Sequence, residues 1–200
     1  QQPGLNVGRV YAAIHTLGAL EGVTVTEVDK VDGGSILKVT IPTLNTGRRV
    51  PRVLITAGVH GNEPIGVTTA LQLMGIILSS EDLRDRFDFT LFPMLNPGGL
   101  RDKKRFMRNQ KDLNRKFVPG DKADFPHSMK HVRKFLSDKG DTFQLALDIH
   151  GALPKDGFYI IRGSDREKPL AQDVMSLIPP NLRQTTADNK YPGWVGVGAN

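Results

Sequence analysis

His60 and Glu63 stand three residues apart in Gly58-Val59-His60-Gly61-Asn62-Glu63-Pro64. Placed across a tight turn, an imidazole and a carboxylate at that spacing can converge on one cation. Two protein donors rarely suffice for zinc; a catalytic site takes three and keeps a further position open for water or substrate. His150 is the third candidate, closing the apolar run of Leu147-Asp148-Ile149-His150-Gly151. Residues two apart on a strand share a face, so Asp148 and His150 are expected to point the same way. Each residue alone has a plainer reading. An isolated histidine is usually structural, and Glu63 by itself reads as a carboxylate favoured by a helix N-terminus. Their joint occurrence in a chain with 5 histidines is what points to a metal.

A rival pair exists. His127 and His131 lie four apart on an expected helix, a spacing that suits zinc. Ser128, Met129 and Lys130 stand where a glutamate is wanted between them, and Lys130 and Arg133 repel a cation. The pair therefore reads as a solvated helix face. His15 has no partner on its helix and is read as ordinary.

These donors need elements to position them. Arg52–Ala57 is a short apolar run ending at Gly58, which reads as a buried strand, and Pro64–Leu78 reads as the helix after it, with proline in its first turn. Phe87–Pro93 and Phe143–Ile149 are two further central strands. Leu5, Val7, Val10, Tyr11, Ile14, Leu17 and Leu20 recur at helical spacing over residues 4–20. Val23–Val28 and Ser35–Ile41 form a strand pair turned at Asp32-Gly33-Gly34, and Pro126–Leu136 is a helix. The alternation predicts an α/β fold: a mixed, largely parallel sheet flanked by helices on both faces. Residues 95–125 carry no clear periodicity, and so long a loop is usually functional. In open α/β sheets chemistry gathers at the carboxyl ends of strands, here Gly58, Pro93 and Ile149.

The 200 residues are 38% hydrophobic and 24% charged, enough for a buried core in a single domain. Cysteine is absent, which excludes disulfides and thiolate metal sites. The longest apolar stretch, Leu71–Leu78, is interrupted by Gln72 and Gly75, so no membrane span is expected. The formal net charge is +6, and Arg101, Lys103, Lys104, Arg105, Arg108, Lys111, Arg115 and Lys116 crowd one segment. That segment contains Phe106 and Phe117 without a stacking-platform pattern, so nucleic acid is not an expected partner. The chain begins with Gln1 and not Met, as after removal of a targeting segment or at an artificial start; its compartment stays open.

With these residues in view, the sequence resembles the zinc carboxypeptidase superfamily. His60-Gly61-Asn62-Glu63 follows a strand, Asn96-Pro97-Gly98-Gly99 follows the next, then come Arg105-Phe106-Met107-Arg108, Asp112-Leu113-Asn114-Arg115 and the strand-closing His150, in the superfamily's order. The likeness is nearest to the succinylglutamate desuccinylase and aspartoacylase branch. His60-Gly61-Asn62-Glu63, Asp112-Leu113-Asn114-Arg115 and Asp148-Ile149-His150 match its style, and the span from Glu63 to His150 is compact. Gly98 departs from digestive carboxypeptidases, which usually have aspartate there.

The resemblance implies one zinc per chain on His60, Glu63 and His150, with Asp112 accepting a hydrogen bond from the His60 ring. It implies that Arg115 holds a substrate carboxylate in its planar fork, with Asn114 beside it. Arg108 would stabilise the oxyanion, and Arg105 would widen the anionic site or remain a surface charge. The expected reaction is hydrolysis of an amide bond next to a free carboxylate, in a peptide or in an N-acyl amino acid. The superfamily's proton-transferring glutamate lies on a late strand. After His150 the only glutamate is Glu167, which reads as a helix start, and Tyr191 is a weak counterpart of the late tyrosine. The domain is therefore expected to continue past Asn200; the alternative is an inactive relative that binds zinc without turnover.

Overall fold

The computed structural model describes residues 5–108, 112–115, 129–137, 142–151, 158–162 and 165–190. Helix α1 spans Val7–Gly18, starting where the Asn6 side chain accepts the Arg9 N–H at 3.0 Å and burying Val10 and Ile14. Strands β1 (Thr24–Val31) and β2 (Gly34–Ile41) form an antiparallel hairpin with a bulge between Glu27 and Asp29. The bulge carries β1 further than its alternation suggested and turns the Asp29 side chain inward, where it is buried. Strand β3 (Arg52–Ala57) leads into α2 (Pro64–Ser79). A short helix α3 (Glu81–Arg86), capped by Ser80, precedes β4 (Asp88–Phe92).

The segment without periodicity is not structureless where it is described. It holds a short helix α4 (Pro97–Asp102) and a single 3-10 turn at Leu113–Arg115. Elements of six and three residues are too short to leave a periodic trace. Helix α5 is Lys130–Ser137 and β5 is Leu145–Ile149. Beyond them β6 (Phe158–Arg162), α6 (Lys168–Leu177) and β7 (Arg183–Lys190) make a parallel strand pair with an intervening helix. No helix among the described residues is long and apolar enough to cross a membrane.

The five-stranded sheet runs β1-β2-β4-β3-β5. Its β1-β2 and β2-β4 pairs are antiparallel, and its β4-β3 and β3-β5 pairs parallel. Alternate residues divide between two cores. Leu37, Val39, Val53, Ile55, Phe89 and Leu91 pack with Val10 and Ile14 of α1 and Met74 and Ile77 of α2. Ile36, Leu54 and Phe92 face the other way and pack with Val132 of α5, Met107 and Leu113. Helices thus flank both faces, as the strand and helix alternation predicts. Because β3 lies between β4 and β5 and runs parallel to both, the three carboxyl ends are neighbours, and the chain leaving each reaches the same end of the sheet.

Candidate metal centre

The turn after β3 is held open by glycine. Gly58 has φ 65°, a left-handed backbone that glycine adopts without a Cβ penalty. A Cβ on Gly61 would collide with the Gly99 backbone of α4, so this glycine lets the loop lie directly on α4. The Glu63 N–H then donates to the His60 carbonyl at 3.2 Å, and Pro64 opens α2. Glu63 occupies the N-cap position, yet its side chain makes no capping bond. The plain helix-terminus reading of this carboxylate therefore does not describe what it touches.

Glu63 meets both histidines instead. His60 Nδ1 lies 2.9 Å from Glu63 Oε1 and His150 Nδ1 lies 3.0 Å from Oε2. The Gly151 N–H donates to Oε2 at 2.9 Å. On the far side of each ring stands a second carboxylate: His60 Nε2 is 3.0 Å from Asp112 Oδ1, and His150 Nε2 is 2.8 Å from Asp148 Oδ2. Asp148 is steadied in turn by Thr56, its register partner on β3, whose hydroxyl donates to Oδ1 at 2.8 Å. One donor atom from each of His60, Glu63 and His150 lies within 4.8 Å of the others, and the ring centroids are 4.9 Å apart.

This arrangement fits a metal on its chemistry. Two nitrogens and one carboxylate converge, and each ring is oriented by an outer carboxylate, the pattern that fixes the tautomer of a metal-binding histidine. The electrostatics among these side chains agree. Burial alone would raise the Glu63 carboxyl; hydrogen bonds from His150, His60 and the Gly151 N–H overturn this and hold it well below the usual carboxylate range. Burial alone would pull the His150 ring down, but Asp148 and Glu63 push it up to about 10. Asp112 is likewise held low: its burial is outweighed by hydrogen bonds from His60 and Arg105.

The loop after β4 brings the remaining groups. Asn96 is fully buried, and its side chain makes three bonds. Its oxygen accepts the Gly99 N–H at 2.7 Å, and its nitrogen donates to the Val59 and Arg105 carbonyls, each at 3.3 Å. That residue ties α4, the His60 turn and Arg105 together. Arg105 then reaches into the cluster, with one guanidinium nitrogen 3.2 Å from Glu63 Oε1 and another 3.1 Å from Asp112 Oδ2. Asn114 is half-buried, and its N–H donates to Asp112 Oδ1 at 3.0 Å. The backbone of Arg115 completes the 3-10 turn. Arg108 is exposed, and its charge is felt at Asp102.

Other candidates separate from this centre. His131 serves α5: its ring lies 2.7 Å from Asp29 Oδ1, and Asp29 also accepts the His131 and Val132 N–H groups. The expectation of a merely solvated face missed this capping carboxylate, which comes from 102 residues away in the chain. His127 and Tyr191 lie outside the described residues. His15 is exposed on α1, and Glu167 sits at the start of α6, as its neighbours suggested. Thr56 carried no local signal that separated it from a packing residue; Asn96 stood out only through the Asn96-Pro97-Gly98-Gly99 motif, and Arg105 only as one of two readings of its side chain. Asp148 was legible through its parity with His150 and the Asp148-Ile149-His150 likeness to the family branch.

The chain is similar to known proteins over most of its length. The profile of the succinylglutamate desuccinylase/aspartoacylase catalytic domain matches residues 49–179. The chain is 29% identical over 163 residues to cytosolic carboxypeptidase 2 of Xenopus tropicalis, covering 76% of this chain and 17% of that protein. It is 32% identical over 146 residues to cytosolic carboxypeptidase 3 of Bos taurus, covering 68% of this chain and 14% of the relative. Among solved structures, the fold is similar to a metallo-carboxypeptidase from Burkholderia cenocepacia, with a TM-score of 0.76 at 18% identity over 94% of this chain and 53% of the other. It is also similar to a metallo-carboxypeptidase from Pseudomonas aeruginosa in complex with (2-guanidinoethylmercapto)succinic acid, with a TM-score of 0.73 at 19% identity over 97% of this chain and 55% of the other. The profile covers more than half of the chain and contains the whole His60, Glu63, Asp112, Asp148 and His150 cluster, so the chain belongs to the succinylglutamate desuccinylase/aspartoacylase catalytic-domain family, hydrolases of the zinc carboxypeptidase superfamily.

Proposed function

We propose that this chain is the zinc-binding part of a hydrolase that cleaves an amide bond next to a free carboxylate, in a peptide or in an N-acyl amino acid. The observation that carries the reading is the pair of imidazoles whose Nδ1 atoms both face Glu63 while their Nε2 atoms face Asp112 and Asp148. His60, Glu63 and His150 hold one zinc ion. The chemistry that zinc supplies in such a site is Lewis acidity toward the carbonyl and toward water.

The chain's own residues do the rest. Asp112 and Asp148 keep each ring in the orientation that presents Nδ1, and Thr56 keeps Asp148 in place. Asn114 and Arg115 lie two and three residues beyond Asp112, so the carboxylate that they are proposed to receive is expected near the ring that Asp112 orients. A guanidinium binds that group with two parallel hydrogen bonds. Arg108 is proposed to meet the oxyanion. It is exposed in the substrate-free chain, as a group that must meet an incoming substrate is expected to be. Glu63 is engaged by both histidines and held ionised, so proton transfer from water falls to another group.

The guanidino-dicarboxylate bound by the Pseudomonas aeruginosa neighbour is consistent with a site that takes carboxylates. The test uses the full-length protein reconstituted with zinc. A peptide with a free C-terminus, the same peptide amidated and an N-acyl amino acid are assayed side by side, with and without a chelator. The reading predicts chelator-sensitive cleavage of one of the two free acids and none of the amidated peptide. Equal cleavage of the amidated peptide would contradict the carboxylate requirement.

A further inference from the structure

The Glu63 carboxylate is saturated. Its two oxygens receive His60 Nδ1 (2.9 Å), Arg105 (3.2 Å), His150 Nδ1 (3.0 Å) and the Gly151 N–H (2.9 Å). A carboxylate offers about four lone-pair positions, so a cation can approach only if a donor moves. The Gly151 donor is main chain. The two imidazole nitrogens are the proposed co-ligands and would turn to the cation with Glu63. Their turning already frees places on Glu63; Arg105, the remaining donor, is displaced because it is itself a cation and is repelled by the one that enters.

The main chain of Arg105 is fixed while its side chain has room. Its carbonyl accepts from Asn96 Nδ2 at 3.3 Å and from the Gly61 N–H at 3.4 Å. Its side chain is 39% exposed, against 8% for Glu63. The guanidinium can therefore swing outward without disturbing the His60 turn. From this we infer that Arg105 is an internal counter-ion of the metal site: it bridges Glu63 and Asp112 while no metal is bound and gives up Glu63 when the metal enters. This rests on the metal reading of the cluster proposed above.

The consequence has a definite sign. Arg105 lowers metal affinity, because its contact with Glu63 is lost on loading and its charge stays close to the bound cation. Removing it does not dismantle the ligands. Asp112 keeps His60 and the Asn114 N–H, and Glu63 keeps the Gly151 N–H. Arg105 is thus a positioning residue for the empty site and a brake on loading.

The experiment measures zinc affinity of the full-length protein by competition with a chromophoric chelator, for the wild type, Arg105→Gln and Arg105→Lys. Arg105→Gln is expected to bind zinc at least about tenfold more tightly, since a contact between charged groups is worth a factor of that order. Arg105→Lys, which keeps the charge, should stay nearer the wild type. The metal-free Arg105→Gln protein should melt lower, and its melting temperature should rise more on adding zinc. Unchanged or weaker zinc binding by Arg105→Gln overturns the inference. A zinc-loaded wild-type crystal structure is independent of any variant: the guanidinium should lie beyond hydrogen-bonding distance of Glu63, and a retained contact overturns the inference as well. If the wild type binds no zinc, the metal reading itself fails, a result distinct from zinc binding that ignores Arg105.

Discussion

In the metal-free chain His150 should be a cation throughout the neutral range. Burial pulls its pKa down, but the hydrogen bonds to Asp148 at 2.8 Å and Glu63 at 3.0 Å outweigh it and push the value up to about 10. A raised folded pKa has a fixed sign in stability. The contribution is fully present below the unfolded value near 6.5 and is lost as the pH rises through about 10. Metal binding requires a neutral imidazole, so it expels this proton. At pH 8 a group with a pKa of about 10 is about 99% protonated, whereas one near 6.5 is about 3% protonated. Zinc should therefore release about one proton from His150 at pH 8, and the apparent affinity should rise about tenfold per pH unit on that account below about pH 10. The perturbation is Asp148→Asn, which keeps the shape beside Nε2 and removes the charge. Calorimetry of zinc binding in buffers of different ionisation enthalpy counts the protons, and the variant should release fewer than the wild type. Equal release by the two proteins, or a His150 ring resonance that titrates near 6.5 in the metal-free wild type, would refute the reasoning.

Arg108→Ala should chiefly lower kcat, by about a hundredfold or more, because its proposed partner exists only after attack on the carbonyl. Arg115→Ala should chiefly raise KM, since a carboxylate is present in ground and transition states alike. Steady-state kinetics with zinc content checked separates them, and equal KM effects reproduced by added salt in the wild type would reduce the loop to an electrostatic funnel. Gly61→Ala should lower zinc occupancy, because the His60 turn must retreat from Gly99; metal analysis of purified protein tests it. Leu54→Ala, at a fully buried position, should cost about 2–5 kcal/mol in denaturant unfolding.

Much of this architecture was legible because the strands are buried apolar runs that end in glycine or a polar turn. Arg52–Ala57 was read with its observed limits, and α2 ends one residue past its expected end. The three zinc candidates were legible because they gather after two strand ends: His60 and Glu63 in the turn between β3 and α2, and His150 directly after β5. What escaped was either short or non-local. Helix α4 is only six residues long. Thr56 and Asp148 meet through strand register across 92 residues, and the Asn96-Pro97 motif did not reveal that Asn96 ties α4, the His60 turn and Arg105 together. The bulge in β1 broke the alternation that would have marked Asp29 as inward-facing. In the basic loop two readings of Arg105 stood open, part of the anionic site or a surface charge; its main chain is fixed by Asn96, and its side chain reaches Glu63 and Asp112.

The central claim is that His60, Glu63 and His150 hold one metal ion. X-ray absorption at the zinc edge, on protein loaded with one equivalent, tests it directly when paired with metal analysis of His60→Ala, His150→Ala and His127→Ala. The account predicts two imidazole nitrogens at about 2.0–2.1 Å with oxygen ligands in the remaining shell, loss of zinc in the first two variants and full occupancy in the third. Full occupancy in His60→Ala or His150→Ala, or loss of zinc in His127→Ala, would contradict it.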